Sequence, residues 1–246
     1  MKMHLQYISL LAGTISVLLL SIITSSDVLT INAYAQISAM GTPMQTTKSC
    51  SAYDLSANTN WSNCNLHGAD LAFHNLSGIN LSGADLSNAN LYAVNLMGAN
   101  LTGANLVGAD LNNARLSGAN LEGVNGSNAQ FYSADFSNAN ISGAHLSDAL
   151  VYYASFSNAN LQGADLSHFN AANAVFTNAT LQNADLSYAW MRATNFAGAN
   201  LKDANLHGTD AAYSVWAGAD LTGANVDTFT AATSDLSCHG SPICHP

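Results

Sequence analysis

The sequence is short of charge. Only 8% of its 246 residues are Asp, Glu, Lys or Arg. Five are basic and fifteen acidic, for a formal charge of −10. So few cations argue against a surface that grips nucleic acid or anionic lipid through phosphate contacts. Cysteine is scarce as well, with Cys50, Cys64, Cys238 and Cys244 and none between the middle pair. No Cys-x-x-Cys-His run is present, which excludes c-type haem attachment. Also missing are a phosphate-binding glycine loop, a paired-acid motif and a nucleophile–base pair. Without them nothing points to catalysis, and the chain reads as a non-enzyme without a cofactor or metal.

What is present is mostly Leu, Ala, Asn, Ser and Gly. Amides and hydroxyls replace the usual Lys/Glu coat. The N-terminus reads as an export signal. Lys2 gives a positive start, Ile8 to Ile23 is apolar, and Ala33-Tyr34-Ala35 is an Ala-x-Ala cleavage site. The apolar run is 16 residues, broken by Gly13, Thr14 and Ser16, and is short for a membrane span. Residues 1–35 are therefore read as a signal peptide. Their removal takes away Lys2 and Asp27 and leaves the net charge at −10. Residues 36–60 read as a lead-in and N-terminal cap, 61–238 as one repeat domain, and 239–246 as a C-terminal Cys/His cap.

From Cys64 to Cys238 one five-residue rhythm holds its phase, as in Ala84-Asp85-Leu86-Ser87-Asn88. It makes 35 pentapeptides, with a large apolar centre at 66, 71, 76 and on to 236. The centre is Leu, Ile, Val, Met, Phe or Trp in 31 of the 35; Gly126, Ala171, Ala211 and Ala231 are the exceptions. Two residues before the centre, 24 of the 35 positions are Ala. Period five fits neither helix nor strand. A coil with four short sides does fit it. Centres and alanines point in, the other three positions point out, and Gly or Asn serves the corners. At the spacing of about 4.8 Å between strands, nearly nine coils make a rod roughly 40 Å long.

On these residues the chain resembles the pentapeptide-repeat family, over 64–238. The resemblance implies an all-β fold, a right-handed quadrilateral β-helix of about nine coils. It also implies a further reading. Some members are acidic rods that occupy the DNA groove of topoisomerases, and a charge of −10 fits such a mimic. An export signal does not, because those targets are cytoplasmic.

If four pentapeptides make a coil, residues twenty apart stack. Phe136, Phe156, Phe176, Phe196 and Trp216 then form one interior aromatic column, in edge or offset geometry. The side with centres 71 to 211 presents Phe73, Tyr92, Tyr132, Leu150, Tyr152, Tyr153, Trp190, Arg192 and Tyr213 outward. The opposite side, with centres 81 to 221, is nearly pure Ala-Asn-Leu-x-Gly. A contiguous aromatic stripe is a candidate contact surface. Drift on a tolerant face, or cover by the lead-in, is the bland alternative.

Disulfides need α-carbons within about 7 Å, and a rod keeps Cys64 from Cys238. The pairs Cys50–Cys64 and Cys238–Cys244 remain, each stapling one end where backbone edges are open. Cys238, His239, Cys244 and His245 could alternatively hold zinc, although Cys-x5-Cys lies outside the common spacing. Trp61 sits on the centre phase and is expected to cover the first coil. His74 takes an inward position and reads as structural. His67, His145, His168 and His207 read as outward on different coils and sides, and the acidic residues as scattered. Triplets such as Asn75-Leu-Ser77 and Asn140-Ile-Ser142 are products of the repeat and weak evidence for glycosylation.

The expectation is a secreted or cell-surface scaffold, non-catalytic, whose aromatic face meets an unknown protein or a second copy in a homodimer. It has no nucleic-acid partner and no membrane association once the signal is removed. The two alternatives are the acidic DNA mimic and the metal-binding cap.

Overall fold

The computed structural model describes residues 60–227 and Gly240. The segments read as signal peptide and lead-in, up to residue 59, lie outside the described residues, as do Cys50, Cys238, Cys244 and, apart from Gly240, the C-terminal Cys/His cap.

Thirty single-residue parallel bridges join residue n to residue n+20, from Asn60↔Asn80 to Asn205↔Asn225. Residues 60–219 make eight full coils of twenty, and 220–227 begin a ninth. The fold is all-β, a right-handed quadrilateral β-helix. No helix occurs among the described residues.

The pentapeptide follows from the needs of its backbone, and one unit shows the rule. The centre Leu66 donates its N–H to Asp85 C=O of the next coil, at 2.7 Å. Gly68 N–H donates to Ser87 C=O at 2.9 Å, and Ala69 N–H closes the turn on Leu66 C=O at 3.0 Å. Asp85 N–H donates back to Cys64 C=O at 2.8 Å. The residue after the centre has no backbone acceptor. Its N–H is taken by the side chain of the residue before the centre, as Ser87 N–H by Asp85 Oδ1 at 3.1 Å and Ser82 N–H by Asn80 Oδ1 at 3.0 Å. That is why Asn or Asp recurs there: a short side-chain oxygen pairs the one donor the ladder leaves over. Many of the same amides also donate one coil back, as Asn140 to Asn120 and Asn160 to Asn140, both at 3.1 Å.

The second residue after each centre has positive φ at every position from Asn63 to Gly223. This left-handed corner explains the Gly and Asn of the consensus, since other side chains crowd their own backbone there.

Nearly all centres and Ala-type residues are buried, as the rhythm predicts. Exceptions to the consensus compensate one another. Gly126 leaves a gap that the side chains of Leu146 and Phe131 fill. Ala171 follows Phe169, so large and small have exchanged places within one pentapeptide. Where Thr194, Thr209 and Ser214 replace inward alanines, each hydroxyl donates to a carbonyl in the preceding coil: Ala171, Leu186 and Met191. A buried hydroxyl without such a partner would destabilise the core.

The interior column is present. Rings from Phe136 to Trp216 stack at centroid distances of 4.4–5.1 Å and interplanar angles of 5–15°. The stack is near-parallel and offset; an edge contact comes from outside the column, where Phe131 meets Phe136 at 62°. Trp61 corrects an expectation. It does not cover the first coil; it is that coil's own centre, 2% exposed, with its N–H on Asn80 C=O. The coil thus opens at Asn60, not Cys64. Cys64 is buried and disulfide-bonded, with its partner outside the described residues.

Candidate functional site

The four sides of the coil differ sharply. On the aromatic face, with centres 71 to 211, the structure gathers the predicted residues into three groups. Phe73 and Tyr92, on the first and second coils, meet edge to face at 5.3 Å and 69°. Tyr132 and Tyr153, on the fourth and fifth, do the same at 5.5 Å and 66°. Trp190 and Arg192 lie on the seventh coil and Tyr213 on the eighth. There the Arg192 guanidinium sits 5.6 Å from the Tyr213 ring centroid and 3.6 Å from Asp210.

These side chains are out in solvent. Phe73 is 75% exposed, Trp190 64%, Tyr213 58% and Tyr153 55%. Tyr152 is different. It is half-buried, and its hydroxyl accepts from Asn170 Nδ2 at 2.6 Å, so it lines the face more than it projects from it.

The corners make the face unusual. Its eight left-handed residues are Phe73, Ala93, Asn113, Ser133, Tyr153, Asn173, Ala193 and Tyr213, and none is glycine. Three exposed aromatic rings thus stand on left-handed backbone. Positive φ in a bulky residue destabilises by about 1–2 kcal/mol.

The histidines correct a second expectation. His67, His145, His168 and His207 share one side of the coil, with centres 66 to 226. Five of the twelve described carboxylates lie there too, namely Asp85, Asp148, Asp165, Asp185 and Asp227, and no described Lys or Arg does. The acidic residues are therefore less scattered than they look along the chain. Tyr188, absent from the predicted set, is 48% exposed on this side. It stacks on His168 at 5.3 Å and 9°, and its hydroxyl lies 3.1 Å from His207 Nε2. The column 168, 188, 208 was readable by counting in twenties. His74 is half-buried with Nδ1 2.9 Å from Ala72 C=O, a structural histidine.

One constellation has the residue types of a hydrolase. His67 Nδ1 lies 2.8 Å from Ser87 Oγ, which lies 2.6 Å from Asp85 Oδ1. The order is wrong for nucleophile activation. The Ser87 proton goes to the carboxylate and His67 donates to the hydroxyl, so no base stands ready to deprotonate it. Its consequence is electrostatic. The Ser87 hydroxyl, with smaller help from Ser87 N–H, His67 and Asn105, holds the Asp85 carboxyl below its usual range despite partial desolvation. Among the described residues no group of three or more His, Cys, Asp or Glu side chains could hold a metal ion.

Known proteins fit this picture. The family model for pentapeptide repeats matches in eight copies, over residues 57–83, 75–113, 109–148, 154–189 and 199–227, more than half of the chain. Among solved structures, a pentapeptide-repeat protein involved in heterocyst differentiation regulation, HetL from the cyanobacterium Nostoc, is 27% identical. That match covers 73% of this chain and 87% of HetL, with a TM-score of 0.36. The plasmid-mediated fluoroquinolone resistance protein QnrB1 is 16% identical over 64% of this chain and 82% of its own, at TM-score 0.50, a likeness of fold. No curated protein matches the chain. Pentapeptide-repeat proteins are generally non-enzymatic scaffolds that mediate protein–protein interaction. The chain belongs to the pentapeptide-repeat family.

Proposed function

We propose that this protein is an exported, non-catalytic scaffold whose aromatic face is its contact surface. One observation carries the reading. Phe73, Tyr153 and Tyr213 keep large exposed rings at corners where the rest of the coil mostly uses Gly or Asn. Their exposure means burial does not offset the backbone strain. Strain held at exposed positions is a mark of a functional surface. Edge-to-face contacts in the first two groups, and the Arg192 guanidinium beside Tyr213 in the third, hold the rings in place and lower the entropy lost on binding.

Export to the cell surface or medium rests on the Lys2, Ile8–Ile23 and Ala33-Tyr34-Ala35 pattern. An oxidising compartment suits the disulfide at Cys64, for which Cys50 is the proposed partner, and a Cys238–Cys244 staple at the far end. The intact mass of the exported protein, before and after reduction, tests both. A mass that includes residues 1–35, or no shift on reduction, removes this part of the reading.

The test of the face is the double variant Tyr132→Ala/Tyr153→Ala. The partner or association state of the native protein should be lost while the fold is kept. Unchanged association and unchanged captured partners in a folded double variant would remove the contact-face reading.

A further inference from the structure

The three aromatic groups are evenly spaced. They occupy coils one and two, four and five, and seven and eight, and the correspondence extends to single residues. Tyr92 and Tyr152 are sixty residues apart, as are Tyr153 and Tyr213. Sixty residues are three coils, so the groups recur about every 14 Å at the spacing of parallel strands. The coils between them carry small side chains, Asn112 and Asn113 on the third, Ala172 and Asn173 on the sixth. A globular partner does not require an even interval along a straight column. A linear, repeating partner does.

Charge narrows its chemistry. On coils three to six the outward positions of this face carry one ionisable group besides tyrosine, the half-buried Asp110. What they offer is Tyr132, Tyr152 and Tyr153 flanked by the amides of Asn112, Gln130 and Asn170. The Asn170 amide donates to the Tyr152 oxygen, which leaves the Tyr152 hydroxyl proton free to donate. A polyanion is disfavoured by the net charge of −10, and a polycation finds a single carboxylate on these coils, Asp110, whose Oδ1 already accepts from Asn112 N–H.

We propose that the aromatic face binds a neutral linear polysaccharide, one with flat β-1,4-linked sugar rings, running along the column. The C–H faces of the sugars stack on the aromatic rings. Their hydroxyls exchange hydrogen bonds with the Asn, Gln and Tyr groups between. Separate aromatic groups then act as linked subsites, and affinity rises sharply once one glycan reaches two of them. This inference rests on the aromatic face being the contact surface and adds what it contacts.

The experiment titrates the full mature protein with cellobiose, cellohexaose, chitobiose and chitohexaose and follows intrinsic Tyr/Trp fluorescence. Sedimentation of the sugar-free protein is measured alongside. At least one hexasaccharide should bind at least about tenfold tighter than its disaccharide. Tyr132→Ala/Tyr153→Ala should weaken it by about tenfold, equal to about 1.4 kcal/mol. Asn140→Ala on the opposite side should leave it unchanged. Absence of binding by all four sugars overturns the glycan, as does binding indifferent to the tyrosine change. If sedimentation then shows a dimer that the double variant dissolves, the glycan falls and the contact face stands. If the double variant changes neither, both fall.

Discussion

The amide face and the aromatic face are built from the same pentapeptide and solve its corner differently. On the amide face, six of nine left-handed positions are glycine and the rest are Asn63, Asn183 and Asp203. On the aromatic face, none of eight is glycine and three are Phe or Tyr. The first face is close to the backbone's own preference, with Asn100, Asn120, Asn140 and Asn160 tied into an amide ladder with Thr102. The second departs from it at Phe73, Tyr153 and Tyr213. Both faces share one interior and one ladder, so stability alone does not explain the departure. The difference separates what the fold requires from what the surface adds.

The largest effect should come from the part both faces share. Phe156 lies between Phe136 and Phe176 in the stacked column, at 4.7 and 4.6 Å. Phe156→Ala should destabilise by about 3–5 kcal/mol in denaturant titration and impair both faces together. A loss confined to one face would mean that the column is not a common core.

Next come changes that should divide the faces. Tyr132→Ala/Tyr153→Ala should weaken association through the aromatic face about tenfold and shift the melting temperature little, because both rings are exposed. Asn140→Ala should do the reverse. It removes the acceptor of Ser142 N–H and the link to Asn120 and Asn160, at about 1 kcal/mol, without touching association. Equal effects of the two on binding would erase the distinction.

The smallest effect belongs to the histidine face. The Asp85 carboxyl is held below its usual range, near 3.8, so ionisation stabilises the folded chain. That contribution is full above about 3.8 and fades as pH falls towards the lower folded value. The advantage of the native protein over Asp85→Asn in thermal melts should accordingly be present at neutral pH and shrink below about 3.8. An advantage that persists unchanged in acid would assign it to packing instead.

Most of the fold could be read from the chain because a β-helix makes long-range contacts periodic. Residue n meets n+20 everywhere, so counting replaces topology. The aromatic face and the interior column emerged from that count. The misses have local causes. Trp61 looked like a cap because the consensus lacks Ala before it, yet the backbone ladder includes it. Tyr152 looked as exposed as Tyr153, but one sits before the corner and bonds Asn170 while the other occupies the corner itself. The histidines fall at three different places within their pentapeptides, which hid their shared side. The strain under Phe73, Tyr153 and Tyr213 was legible only in their phase: they stand two residues after the centre, where the repeat elsewhere mostly places Gly or Asn for a left-handed corner.

On the proposed function, aromatic rings occupy left-handed corners for contact and not for stability. Tyr153→Gly tests it most directly, with melting temperature and association measured on the same sample. Relief of the positive φ, about 1–2 kcal/mol, should match or exceed the loss of the edge contact with Tyr132, about 0.5–1.5 kcal/mol. The expected variant is at least as stable as the native protein and has lost its association. A clearly less stable variant that associates normally would contradict it.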